Sequence, residues 1–340
     1  MAFETFSWKR SGNAMKRLLD VNNLRVGYKI YKGSSKVLNG LSFTVHEGEK
    51  VGIIGESGSG KTTAMRAILR VLASNAIVES GEISFKGKDI LKINEKELTE
   101  IRRKNITMIF QDPTAALNPV FTAGDQLANV IKYSGIIEGK NIRNEDLKAK
   151  SLELLKDVAL QDPERVLNSY PFQLSGGMKQ RICIAMSLGT ARDLLIADEP
   201  TTNLDVTIQD QVLHLMSKLV SERNLSVILI SHALGTIRGI TDRGCVMYAG
   251  DMIETAATGE LFSNPLHPYT RGLLESCPKL TGGGFSKGIR GHVPDYLDPP
   301  SGCRFHPRCD HASDVCKREK PQFVGDSDSH LVACWLYNKR

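Results

Sequence analysis

Hydrophobic positions along the chain follow two different periods. From Leu18 to about Ile90 they come in short runs rich in β-branched residues, LLDVNNLRVGY, VLNGLSFTV, KVGIIG and GEISFKG, parted by glycine-containing turns. Such runs predict strands. One helix interrupts them, because TTAMRAILRVL, from Thr62 to Leu72, places apolar residues at helical spacing. From Asn94 to Leu174 the pattern turns polar and mostly helical, with LKAKSLELLKDVAL as its clearest amphipathic segment, which predicts a helical subdomain over about residues 94–180. Beyond it, LLIAD, SVILIS and CVMYAG are short apolar runs suited to buried parallel strands, and TIQDQVLHLMSKLVSE reads as a helix between the first two. That alternation predicts an α/β sheet with helices on its faces. A TGGG run at Thr281 to Gly284 marks a flexible break. The residues after it are rich in Pro, Cys and His, so a small appended domain over 281–340 is expected.

Composition narrows the class. The 340 residues suffice for two domains or one enlarged one, and 41% hydrophobic with 24% charged residues fits a globular protein rather than a disordered or fibrous one. No apolar run approaches the ~18 residues that span a bilayer. The start, MAFETFSWKRSGNAMKR, lacks the apolar stretch of a secretory signal. A cytoplasmic chain is therefore expected, with membrane contact through a partner protein. The net charge of +6 is spread among Asp and Glu rather than gathered into a basic stripe, so no direct binding of nucleic acid is expected. Of the seven cysteines, Cys183, Cys245 and Cys277 stand singly in apolar stretches. Cys303, Cys309, Cys316 and Cys334 crowd the C-terminal end, where a cytosolic chain would use them for metal rather than for disulfides.

The strongest chemical signal is Gly55-Glu56-Ser57-Gly58-Ser59-Gly60-Lys61-Thr62, which fits GxxxxGK[ST] after a strand and at the start of a helix. Its glycines let successive backbone N–H groups curl around phosphate oxygens, aided by the positive end of the helix dipole. Lys61 reaches the β and γ phosphates in such a loop, and the Thr62 hydroxyl suits Mg2+. A second strand, Leu194 to Ala197, ends in Asp198-Glu199. Alone, an acidic pair there is more often a turn or a cap. Downstream of a phosphate loop it suits two tasks, Asp198 holding Mg2+ and Glu199 polarising the water that attacks the γ-phosphate.

Leu174-Ser175-Gly176-Gly177-Met178-Lys179-Gln180 resembles the signature sequence of ABC ATPases and lies where that family places it. Gln111 in IFQDP resembles the family's Q-loop, Asn203-Leu204-Asp205 its D-loop, and His232 in SVILISH its switch histidine. Tyr28 resembles the aromatic that stacks on adenine, with Tyr31 as its rival. The resemblance implies the ABC ATPase fold: a mixed sheet core around the phosphate loop, with an antiparallel β-subdomain and a helical subdomain, over residues 18–280. It implies that ATP-Mg is bound by the loop residues, by Thr63 and by Asp198, with Gln111 joining Thr62 and Asp198 around Mg2+. Catalysis then falls to Glu199, His232 and Gln111. It also implies head-to-tail pairing, in which Ser175 and Gly177 act on the nucleotide of a second subunit, and it counts Gly176 and Asp205 among the nucleotide-binding residues.

QDPTAALNPVFTAGDQL, EPTTNLDVTIQDQ and NPLHPYTRGLL resemble the dipeptide/oligopeptide importer ATPases in particular. Implied partners are a second, paralogous ATPase subunit, two transmembrane permease subunits and an extracytoplasmic substrate-binding protein, with this chain peripheral on the cytoplasmic face. Oligosaccharide or nickel import is the alternative within that subgroup. A soluble ABC-type clamp on nucleic acid or ribosomes is the alternative outside it. Two positions depart from the family pattern: Ala233 stands where Asp usually follows the switch histidine, and Asn203 where Ala is common.

Four thiolates in one short segment suit either zinc or an iron-sulfur cluster, and unligated thiols remain a third reading. The spacings match neither the paired zinc knuckle nor the ferredoxin runs. The resemblance to the peptide-importer subgroup implies a 4Fe-4S cluster on Cys303, Cys309, Cys316 and Cys334. Nearby His306, His311 and His330 read as structural or surface residues.

Overall fold

The structure is a computed structural model that describes residues 9–10, 13–31, 33–137, 143–190, 193–202, 204–276, 288–327 and 330–338. Asn203, Cys277 and the TGGG break lie outside the described residues. The chain divides into two compact units, one of Met1–Lys92 with Ser231–Arg340 and one of Ile93–Ile230.

The first unit contains an antiparallel sheet whose strands run in the order Gly33–His46, Arg17–Ile30, Ala76–Phe85, Lys88–Asp89. Alternating Val, Leu and Phe side chains fill its buried face, among them Val21, Val26, Leu41 and Phe43. A second sheet in this unit places the strand Lys50–Ile54 parallel to Arg243–Tyr248, which pairs antiparallel with Asp251–Ala257. The C-terminal strand His330–Val332 continues it, with Glu254 opposite Val332 and Ala256 opposite His330. The last cysteine, Cys334, therefore follows directly on a strand of this sheet.

An ion pair fixes the base of the Lys50–Ile54 strand. Arg243 donates from Nε to Glu49 Oε1 at 2.7 Å and from Nη2 to Glu49 Oε2 at 3.1 Å, and Nη2 also donates to Thr44 O at 2.6 Å. Burial alone would push the Glu49 carboxyl up, but Arg243 and His46 outweigh it and hold the group at about 2.

The helix expected from Thr62 to Leu72 spans Lys61–Ile68. It stops early because Arg70 takes a left-handed conformation (φ 50°), from which its Nη1 donates to Ile90 O at 3.2 Å.

The second unit has three parallel strands, with Leu194–Asp198 between Ile106–Ile109 and Ser226–Ile230. Leu194, Leu195, Ile196, Val227, Ile228 and Leu229 are all fully buried, as strands covered on both faces require. The helix Val206–Glu222 connects Leu194–Asp198 to Ser226–Ile230. Helices Glu95–Lys104, Ala123–Ile137, Asn144–Asp157 and Gly176–Thr190 make up most of the rest. The strand Ile106–Ile109 corrects the sequence reading, which had given this stretch to the helical region. Three apolar residues and Thr107, behind the basic end of a helix, carry no period of their own, and only pairing with Leu194–Ala197 defines them as a strand.

Candidate functional site

In the first unit the phosphate loop joins the strand Lys50–Ile54 to the helix that begins at Lys61. Gly60 caps that helix at φ 97°, a conformation that glycine adopts without strain. Gly55 is required by close approach, since a Cβ there would lie 2.2 Å from Met247 O. Lys61 is buried and folds back over the loop, donating from Nζ to Gly55 O at 2.8 Å and to Glu56 O at 2.9 Å. Ser57 and Gly58 are exposed, Ser59 is buried, and Thr62 and Thr63 are half-buried. Tyr28 is half-buried with its hydroxyl 3.4 Å from Thr63 Oγ1, whereas Tyr31 is fully exposed beyond the end of its strand. Of the two candidate tyrosines, Tyr28 is the one placed beside the loop.

In the second unit Asp198 ends its strand and Glu199 turns the chain at φ 48°, with its N–H donating to Ile230 O at 3.0 Å. Both carboxylates are buried, Glu199 at 8% exposure. Gln111 Nε2 donates to Glu199 Oε2 at 3.0 Å, and Thr202 Oγ1 donates to the same oxygen at 3.1 Å. The structure thus brings Gln111 onto Glu199, eighty-eight positions further along the chain. Thr202 had not been singled out in the sequence, although it lies in the EPTTNLD segment.

Ser175 precedes the helix Gly176–Thr190, and its Oγ accepts from Met178 N at 3.3 Å, a cap of the first turn. A cavity of about 550 Å³ opens there, lined by Arg165, Ser175, Gly177, Arg181, Asp205 and Gln211. Two arginines and a helix N-terminus make it receptive to an anion. His232, which belongs to the first unit, is exposed. Ala233 caps the following helix without a side-chain bond, and Ser231 Oγ accepts from its N–H at 3.0 Å instead.

The four C-terminal cysteines converge. Cys303, Cys309, Cys316 and Cys334 line one cavity of about 130 Å³, and none is in a disulfide. Burial pushes the Cys303 thiol up to about 12, with Cys316 and Cys334 adding to the effect, and pushes Cys334 up to about 11. His267 also lines the cavity. Its Nδ1 accepts from Tyr269 N at 3.0 Å, and burial lowers it to about 4, so the neutral ring carries its proton on Nε2. That buried Nε2 has no hydrogen-bond partner among the described residues. Among the described residues no group of three or more His, Cys, Asp or Glu side chains is placed to hold a metal ion.

Residues 38–202 match the ABC transporter family, and residues 253–316 match the oligopeptide/dipeptide transporter C-terminal region. The chain is 44% identical to the dipeptide transport ATP-binding protein DppD of Bacillus subtilis, over 96% of each chain. It is 40% identical to the oligopeptide transport ATP-binding protein OppD of Salmonella typhimurium, over 94% of this chain and 93% of that one. Among solved structures, an ATP-binding cassette in a dimeric post-hydrolysis state with ADP and Pi superposes with a TM-score of 0.63. That likeness, at 26% identity, covers 71% of this chain and 99% of the other. The chain belongs to the ABC transporter ATP-binding proteins of the dipeptide/oligopeptide type.

Proposed function

We propose that this chain is the ATP-hydrolysing subunit of an importer that carries di- and oligopeptides across the cytoplasmic membrane. The observation that carries the reading is the pairing of Gln111 with Glu199 at the end of a buried strand, in a chain that also holds a complete phosphate loop. ATP lies along the loop, with Lys61 exchanging its bonds to the Gly55 and Glu56 carbonyls for phosphate oxygens and Tyr28 flanking the base. Thr62 in the first unit and Asp198 and Gln111 in the second each carry an oxygen that would suit Mg2+, an ion that would neutralise charge on the phosphates. Gln111 and Thr202, both donating to one Glu199 oxygen, hold the carboxylate in place to take a proton from the attacking water. His232 assists on the γ-phosphate side.

The cavity at Ser175 and Gly177 suits the γ-phosphate of a nucleotide held by a second, paralogous subunit. Docking of membrane permease subunits is supported by a groove of about 380 Å³ in the second unit, where Phe110 and Tyr133 are 42% and 51% exposed and Arg103 packs 5.2 Å from the Tyr133 ring centre. No helix among the described residues is long and apolar enough to cross a membrane. The chain then works as a peripheral subunit on the cytoplasmic face, and an extracytoplasmic binding protein delivers the substrate. Uptake by the assembled complex in proteoliposomes tests the substrate class. Labelled dipeptide should enter with ATP; uptake of oligosaccharide or nickel without peptide would overturn the reading.

The cysteine cavity is read as the seat of a 4Fe-4S cluster. A single zinc ion draws four sulfurs to about 2.3 Å from one point. Here the four line a cavity together with the Nε2–H of His267, which has no partner among the described residues and suits a donor to a sulfur-rich anionic group. Cys303, Cys309, Cys316 and Cys334 would hold such a cluster, and their segments would be cross-linked through it. Iron and acid-labile sulfide in anaerobically purified protein are expected. Colourless protein containing zinc would refute the cluster.

A further inference from the structure

Glu56 is an odd residue for its place. It is the second residue of the loop proposed to hold the phosphates of ATP, and an unpaired carboxylate there would repel the nucleotide. The structure shows what stands against it. Arg308 donates from Nη1 to Glu56 Oε2 at 2.7 Å and from Nη2 to Glu56 Oε1 at 3.1 Å, a bidentate pair in which the arginine is 6% exposed. Arg308 is itself fixed, since Nε donates to Arg290 O at 2.7 Å and the guanidinium lies 5.7 Å from the Tyr248 ring centre.

Further bonds hold the same loop from the same side. Glu56 N donates to Tyr269 OH at 2.9 Å, and Tyr296 OH donates to Gly58 O. Tyr248, Tyr269 and Phe305 pack with ring centres 4.7 to 5.4 Å apart beneath these contacts. Arg308 immediately precedes Cys309, and Phe305 lies between Cys303 and Cys309. The segment that bears the cysteines therefore also braces the phosphate loop.

We infer that Arg308 and Tyr296 are positioning residues of the nucleotide site, Arg308 by cancelling the charge of Glu56 and Tyr296 by tethering the Gly58 carbonyl. The inference rests on the placing of ATP at this loop but not on the cluster. Both residues act on nucleotide affinity and leave the hydrolytic step to Glu199.

Equilibrium binding of ATP to the full chain, read by displacement of a fluorescent ATP analogue, tests it. Arg308→Met should weaken ATP binding by about 10-fold at low salt, with the deficit shrinking as salt is added. Arg308→Lys, which keeps the charge, should stay within about 3-fold of wild type. The sharpest result is rescue: Glu56→Gln added to Arg308→Met should restore binding, because the repulsive charge is then gone. Arg308→Gln serves the same purpose should the methionine variant fail to fold, and Tyr296→Phe should lose about 2- to 3-fold, as one hydrogen bond does. Wild-type affinity in Arg308→Met and Arg308→Gln, or a double variant no better than the single, would overturn the inference. Lys61→Ala separates the two layers. Wild-type ATP binding by Lys61→Ala would refute the placing of ATP at this loop, whereas lost binding there with normal binding in Arg308→Met would refute only the role of Arg308.

Discussion

The phosphate loop and the cysteine cavity lie in the same unit of this protein and are built in opposite ways. The loop is made of eight consecutive residues whose backbone is the proposed phosphate-binding surface, so its shape follows from glycine positions and from the strand and helix at its ends. The cavity gathers His267 and the four cysteines from separate segments, among them a turn, a short helix and the stretch after the strand His330–Val332. A contiguous site tolerates change around it as long as its two anchors hold. A dispersed site depends on every segment that converges on it.

The largest effect should come from the loop's anchor. Arg243→Met leaves Glu49 buried without its cation, and calorimetric unfolding should show a loss of about 3 to 5 kcal/mol. Retained stability would mean that the strand needs no ionic clamp. Acid probes the same pair with the sign fixed by the depressed carboxyl. Its contribution is complete above the ordinary value of 4.5 and is lost as pH falls from 4.5 towards 2. That is about 3 kcal/mol across the window, to be followed by the denaturation midpoint at each pH, and it should be absent from Arg243→Met.

On the other side of the comparison, the proposed cluster predicts that Cys316→Ser loses any iron the wild type carries and raises amide exchange across residues 303–318 while the loop strand stays protected. Equal exchange in both regions would show that the cavity and the loop are one cooperative structure. The smallest effect is expected at Tyr28→Ala, with ATP affinity falling about 3- to 10-fold for loss of one stacking ring. No change in affinity would return the adenine contact to Tyr31 or elsewhere.

Contiguity also decides what could be read from the sequence. Gly55 to Thr62, the LLIAD strand with its acidic end and the LSGG segment were legible because each carries its chemistry within a few residues. The strand Ile106–Ile109 was not, because its identity comes from pairing with Leu194–Ala197 across more than eighty positions. The spacing of the four cysteines left zinc, cluster and free thiols open, and their convergence on one cavity is a tertiary fact. Least visible were the braces: Arg308 on Glu56 and Tyr296 on Gly58 join residues 252 and 238 positions apart, and neither pair belongs to a motif.

The central claim, that Glu199 activates the water which couples ATP hydrolysis to peptide import, is tested most directly by Glu199→Gln in the assembled complex. The account predicts unchanged ATP binding, a closed nucleotide-bound dimer that does not turn over, and loss of ATP-driven dipeptide uptake by about 100-fold or more. Hydrolysis and uptake at the wild-type rate by Glu199→Gln would contradict it.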